Sequence, residues 1–298
     1  MPHSSEPHPS PTLSEFLKLL QNKWTFRVAC QNECDSLGPC VCLRHIVHVE
    51  ALEEWWKQTD RSQRLLNELG PAEGELVPFN IKVLFGQHPC LKVFSLLLKQ
   101  GHGLLLVGFR AAGIDDRTFE DEAKDNDSRL RIELERLSTC SDVDRVIEDF
   151  QKERWAYCPP KLEMNMDVHL QNTKIIPPFC HKIKLGEKGG TASIYWVTVQ
   201  KDLISDESLK NAIQETLYTD KDYGDCYQMV LKSYHGDYQS AYDLEKKAFS
   251  GLKHNGSVPI VGCFGCYTHE YGEGTNAGKA YNLLLEYGER DLYEHWED

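Results

Sequence analysis

Two proline clusters, Pro159-Pro160 and Pro177-Pro178, divide the chain into halves of different texture. Prolines this dense break helices and favour extended chain, which predicts a proline-containing linker over 156–180. Before it, apolar residues recur at helical spacing. After it, β-branched and aromatic residues alternate, with glycines between them. The expectation is an α+β chain in two parts, and 298 residues suit two domains of ordinary size.

Residues 1–11 are rich in Pro, Ser and His and read as a disordered tail. They lack the basic and apolar blocks of a secretory signal. Residues 12–155 read as a mainly helical domain of unassigned function. Thr12-Leu13-Ser14-Glu15 has the form of a capping box for a helix through Leu20. Leu52, Trp55, Trp56, Leu65, Leu66 and Leu69 mark a helix that starts near Val49 and stops at Gly70-Pro71. Cys90 to Lys99 marks another. Leu130, Leu134 and Leu137 mark a third, and Val143, Val146, Ile147 and Phe150 a fourth, with Ser141-x-x-Asp144 as its start. Trp55 and Trp56 are read as core packing rather than ligand contacts.

Lys plus Arg is 33 against 46 Asp plus Glu, a formal net charge of −13. An acidic chain does not coat nucleic acid or an anionic membrane through its overall field. No apolar run approaches the ~18–20 residues that span a bilayer. Eleven cysteines, an odd number spread over the whole length, point to reduced thiols and a cytoplasmic or nuclear location. Cys30, Cys34, Cys40 and Cys42, followed by His45 and His48, are weighed as zinc ligands. The second pair is C-x-C, too tight for the common knuckle, and the Gly38-Pro39 turn precedes it, which favours small buried residues around a turn. Cys263-x-x-Cys266 has the spacing of a redox pair without the strand-to-helix setting that such chemistry uses.

The chemistry is concentrated in the second half. Lys182 to Val199 reads as strand, glycine turn, strand, and Gly186, Gly189 and Gly190 leave backbone N–H groups open to phosphate oxygens. By itself such a glycine-rich segment is more often a plain hairpin. Tyr227-Gln228-Met229-Val230-Leu231-Lys232 is an apolar strand ending in a lysine, costly to bury unless it meets an anion. Glu245 lies on a helix whose apolar side is read as Leu244, Ala248, Phe249 and Leu252, so that the glutamate points at the lysine. Ala280 to Leu285 is a buried strand running into Glu286-Tyr287-Gly288.

In this order the motifs resemble the N-terminal lobe of eukaryotic protein kinases over residues 181–298. Leu185, Gly186, Gly189, Gly190, Ile194 and Tyr195 match the glycine loop, and Met229-Val230-Leu231-Lys232 the strand that carries the phosphate-binding lysine. Glu245 matches the helix glutamate, Leu252-Lys253-His254 the marker that follows it, and Glu286-Tyr287-Gly288 the adenine-receiving hinge, with Leu285 as gatekeeper. The helical first half and the segments around the prolines further resemble kinase-domain proteins of filamentous fungi. The resemblance implies a five-stranded antiparallel sheet with one main helix. It also implies ATP contacts at Gly186, Gly189, Gly190, Ile194, Lys232, Glu245, Glu286 and Gly288, and protein phosphorylation of the Ser/Thr type.

The sequence departs from the pattern in several places. Lys188 is an extra residue between the loop glycines, Thr191 replaces the tip aromatic and Ala192 the third glycine. Gln200 to Cys226 is an acidic insertion, expected as a solvated loop with at most a short helix. No catalytic loop and no Asp-Phe-Gly follow before Asp298, so no catalytic residue or metal ligand is assigned. Binding of ATP is expected to be weak or absent, with Mg²⁺ only where a catalytic lobe is supplied. The alternative is a non-catalytic, pseudokinase-like interaction module. Phe249, Leu252, Leu285, Tyr287, Leu292 and Trp296 are expected to form an exposed underside that a protein partner covers.

Overall fold

The computed structural model describes residues 10–27, 29–31, 45–71, 80–119, 124–170, 175, 177–185, 191–251, 261–271 and 278–288. The chain is α+β and forms two compact units, 1–26 with 46–158, and 27–45 with 159–298. Among the described residues, no helix is long and apolar enough to cross a membrane.

The first unit is helical. Helix α1 (Pro11–Leu19) is capped two residues earlier than Thr12: the Ser10 hydroxyl accepts from the Leu13 N–H at 3.2 Å, and Pro11 takes the first helical position. Proline fits there because its missing N–H would have no helical partner. Residues 10 and 11, expected in a disordered tail, therefore begin this helix. It runs on through a π-helical turn, Leu20–Trp24. Short strands β1 (Thr25–Arg27) and β3 (His45–Val47) pair, and β2 (Ala29–Gln31) lies between them in sequence. The helix expected from Val49 to Leu69 is two, α2 (Val49–Lys57) and α3 (Thr59–Leu69), because Gln58 takes an extended ψ of 90°. Gly70 then ends α3 at a φ of 76°, which a glycine adopts without a Cβ clash.

Helices α4 (Lys82–Phe85), α5 (Leu91–Lys99), α6 (Leu106–Ala111), α7 (Lys124–Glu135) and α8 (Val143–Glu153) complete this unit. Asp142, not Ser141, caps α8 by accepting from the Arg145 N–H at 3.0 Å. The core is aromatic at its centre. The Trp56 ring lies 5.0 Å from Trp55 and 5.5 Å from each of Phe16 and Phe94, and its Nε1–H donates to the Ser95 hydroxyl at 3.1 Å. A second group joins Phe109, Phe119 and Tyr157 to Phe150 or to one another.

The second unit is built on an eight-stranded mixed sheet, larger than the five antiparallel strands expected. Its further strands are β4 (Met166–Leu170), β5 (His181–Lys184), β6 (Ala192–Gln200), β7 (Tyr218–Asp220), β8 (Gly224–His235), β9 (Cys263–Tyr271) and β10 (Gly278–Leu285). The order is β2-β5-β6-β8-β10-β9-β4, with β7 also paired to β8. Neighbours from β5 to β9 in this order are antiparallel, whereas β2 runs parallel to β5 and β4 parallel to β9. β2 is too short to show a period, and the alternation of Met166, Val168 and Leu170 in β4 lies within the stretch read as a linker. An outer strand needs a partner on one side only and tolerates polar residues. The stretch 156–180, read from its prolines as a linker, thus also contributes β4.

Residues 200–226 are a packed substructure rather than a solvated loop. They carry α9 (Glu207–Ala212), a 3₁₀ turn at Gln214–Thr216 and β7, and they bury Leu203, Ile204, Leu209 and Ile213. Glu207, Glu215, Asp222 and Asp225 lie outside while these four apolar side chains face in, and Asp220, largely covered, pairs with His181 at 3.0 Å. Asp206 caps α9 through the Ser208 N–H at 2.8 Å and also accepts from the Met164 N–H at 3.0 Å.

β4 seats tightly on β9 because Gly265 lies opposite Met166. A Cβ at Gly265 would stand 2.7 Å from Met166 Cγ, 2.9 Å from its carbonyl oxygen and 3.0 Å from its nitrogen. Backbone cannot move aside as a flexible side chain does. Gly265→Ala is therefore expected to destabilise the second unit by about 1–3 kcal/mol. In hydrogen exchange, β4 should lose protection first while β8 keeps it; equal protection of β4 in the variant would contradict the close packing.

Candidate functional site

Strand β8 alternates as a strand with two covered faces does. Met229 and Leu231 are buried on one side, while Val230, Lys232 and Tyr234 share the other. Lys232 stands between Ile194 on β6 and Leu283 on β10. On its side of the sheet, Tyr234, Tyr281, Leu283, Leu285 and Cys266 form an apolar cluster against which Val230 and Phe249 pack. Helix α10 (Gln239–Gly251) contributes Tyr242 and Phe249 to the same cluster.

The Lys232 ammonium reaches Glu245 on α10 at 2.7 Å and 2.8 Å, one contact to each carboxylate oxygen. The two side chains are 24% and 28% exposed, so the pair is largely shielded from water. The Tyr234 hydroxyl donates to the same carboxylate, and the Lys232 ammonium lies 5.5 Å from the centre of the Tyr234 ring. Burial, reinforced by the Glu245 charge, pushes the Tyr234 hydroxyl pKa well above its ordinary value, so it stays a proton donor. Lysine, glutamate and tyrosine therefore make one connected group. Tyr234 was not anticipated from the sequence, although its place two residues after Lys232 puts it on the same face.

The inner side of α10 differs from the expected one. Tyr242, Glu245 and Phe249, at positions i, i+3 and i+7, face the sheet, whereas Leu244 is 72% exposed and Ala248 is exposed. The adjacent Lys246 binds Asp167 of β4 at 2.8 Å and 2.9 Å, and Cys266 Sγ donates to the same carboxylate at 3.4 Å. The hydrogen bond from Lys246 holds the Asp167 carboxyl below the usual carboxylate range, and Asp167 in turn raises the Lys246 ammonium.

Ile194 is half-buried on β6, opposite Lys232. Gly186, Gly189 and Gly190 lie outside the described residues. The strands that flank them are antiparallel, and the Leu185 N–H donates to the Ile194 carbonyl at 2.8 Å. Beyond β10, the Glu286 N–H donates to the Gly262 carbonyl at 2.8 Å and the Gly262 N–H to the Glu286 carboxylate at 2.9 Å. This exchange ties the Glu286–Gly288 segment to the start of β9, and it uses the Glu286 N–H within the protein. Gly288 is exposed.

Of the residues expected to form an exposed underside, Leu285 is buried, and Phe249 and Tyr287 are half-buried. Phe249 is covered by the sheet because α10 turns that edge inward. Leu252, Leu292 and Trp296 lie outside the described residues. So do the side chains of Cys30, Cys34, Cys40 and Cys42. Among the described residues no group of three or more His, Cys, Asp or Glu could hold a metal ion. Cys263 and Cys266 sit on β9 on either side of an irregularity in its pairing with β10, and burial raises both thiols away from the reactive thiolate.

A cavity of about 460 Å³ is lined by Asn211, Ile213, Glu215, Thr216, Gln228 and Glu286, among others. Lys232 and Glu245 do not line it, so it is separate from the ion-paired group. Scans of known protein families, of curated proteins and of solved structures find no match to the chain.

Proposed function

We propose that the second unit is the nucleotide-facing lobe of a protein-kinase-like protein, with ATP as its ligand. The observation that carries the reading is the two-oxygen ion pair between Lys232 on a central strand and Glu245 on the helix beside it. A lysine held this way keeps its charge at a fixed place, where it can meet α- and β-phosphates. Further support comes from the strand order β5-β6-β8-β10-β9, which sets Ile194 of β6 beside Lys232 and the Glu286–Gly288 connector at the end of β10. Val230 and Leu285 are cross-strand partners on this side of the sheet and offer an apolar surface to an adenine ring.

In this reading Gly186, Gly189 and Gly190 approach the phosphates, Ile194 covers the base, and the backbone at Glu286 and Gly288 receives it. Phosphoryl transfer needs in addition a base for the acceptor hydroxyl and ligands for Mg²⁺. No described residue is assigned those roles, so the proposal for this chain is nucleotide binding.

Calorimetric titration with ATP tests it. The expected dissociation constant is on the order of 1 mM, about 4 kcal/mol of binding, because only one side of the nucleotide is contacted. Lys232→Met should remove the heat. Absence of any Lys232-dependent binding at about 10 mM ATP would overturn the reading and favour the non-catalytic interaction module.

A further inference from the structure

Helix α10 is tied to the sheet by two consecutive residues that pull in different directions. Glu245 reaches inward to Lys232 and Tyr234 of β8. Lys246 reaches outward to Asp167 of β4. Between β8 and β4 lie β10 and β9, so the two anchor strands are about 14 Å apart across the sheet. Successive side chains on a helix diverge by roughly 100° about its axis. Packing holds the helix: Tyr242 is buried against Tyr234 and Tyr281, Ala241 and Phe249 pack on the same cluster, and the Tyr281 hydroxyl donates to the Gln239 side chain at 2.8 Å. The anchors on the adjacent residues Glu245 and Lys246 add a further restraint on its rotation.

Asp167 is itself held in place. β4 pairs with β9 over five residues, from Met166 with Gly265 to Leu170 with His269. The Asn165 N–H donates to the Phe264 carbonyl at 2.6 Å, immediately before the strand. Gly265 lets Met166 approach to contact distance. Cys266 supplies a second hydrogen bond to the carboxylate.

We propose that Asp167 is a positioning residue for the Lys232–Glu245 pair: through Lys246, β4 holds α10 at the rotation that keeps Glu245 on Lys232. Asp167 precedes the segment that carries the kinase-like motifs, so the orientation of the helix is set by a strand from outside that segment. The consequence for nucleotide affinity rests on the function proposed above; the hold on the helix does not.

The test uses the full chain without nucleotide. Hydrogen exchange is followed over 239–251, and acylation of Lys232 by an amine-reactive ester is followed by mass spectrometry. The Asp167–Lys246 pair is half-exposed, with side chains 64% and 37% accessible, so its effect is modest. Asp167→Asn should speed both readouts by about two- to fivefold, the range of a partly exposed ion pair. The exchanged pair Asp167→Lys with Lys246→Asp should restore most of the protection, whereas either reversed charge alone should not. A general loosening of the fold would not be repaired by exchanging the charges. Unchanged Lys232 acylation in Asp167→Asn, or no rescue by the exchange, overturns the proposal.

Titration with ATP separates the two ideas. If Lys232→Met abolishes binding and Asp167→Asn changes neither ATP binding nor Lys232 acylation, the positioning role fails and the nucleotide reading stands. If the acylation results are as expected and no variant alters ATP binding, the helix hold stands and the nucleotide reading fails.

Discussion

Trp56→Ala should destabilise the helical unit by about 3–5 kcal/mol, the cost of removing a large aromatic side chain from a packed core. Trp56 is fully buried, and its ring is enclosed by Phe16, Trp55 and Phe94 at centroid distances of 5.0–5.5 Å. Deleting it opens a cavity that these rings fill only by leaving their own contacts, and it strips the Ser95 hydroxyl of its donor. Trp56→Phe should recover about half of the loss, since it keeps most of the volume and gives up the indole N–H. Because the chain has two units, a single unfolding midpoint would mix them. Hydrogen exchange read over 49–57 and 91–99 isolates the relevant unit. A loss below about 1 kcal/mol would mean that the aromatic cluster is not the centre of this core.

Glu245→Ala should cost the second unit about 2–3 kcal/mol, less than a fully buried pair because about a quarter of each side chain still meets water. Alanine removes the acceptor of both the Lys232 ammonium and the Tyr234 hydroxyl, leaving two donors facing an apolar cluster. Tyr234→Phe removes one hydrogen bond to the carboxylate and should cost about 1–2 kcal/mol. The double variant should cost less than the sum, because both changes break the same group. Exchange protection of β8 and α10 measures these values. Full additivity would show that the contribution of the Tyr234 hydroxyl does not pass through Glu245.

Local chemistry made much of the second unit readable in advance. Alternation over 227–232 marks a strand with an apolar side, and the lysine at its end needs an anion wherever it is buried. The motif order singles out Glu245 over the nearer Asp237 and Asp243, and Lys232 and Glu245 do meet. In the first half, the buried positions of α2, α3 and α8 follow the helical period of the leucines and aromatics, whereas α5 is buried all round from Val93 to Leu98. The inner side of α10 departs from the expected one at Leu244 and Ala248, which are exposed, and at Tyr242, which takes the buried place. Leu244 and Ala248 are more apolar than their surroundings require, and composition does not show which side of the helix the sheet covers.

The sequence by itself determined the α+β composition, the break near the paired prolines, the helices and strands whose apolar period is strong, and the candidate lysine and glutamate. Those features depend on neighbours within a few residues, where sterics and hydrogen-bond geometry act directly. Only the tertiary structure decided that β2 and β4 join the sheet, that residues 200–226 fold onto it, and that Asp167 binds Lys246 from 79 residues away. The alternation of Met166, Val168 and Leu170 does not say which strand β4 pairs with, and a long-range ion pair leaves no periodic trace. Their partners come together through backbone hydrogen bonding that any sequence can supply, and through packing that depends on the whole fold.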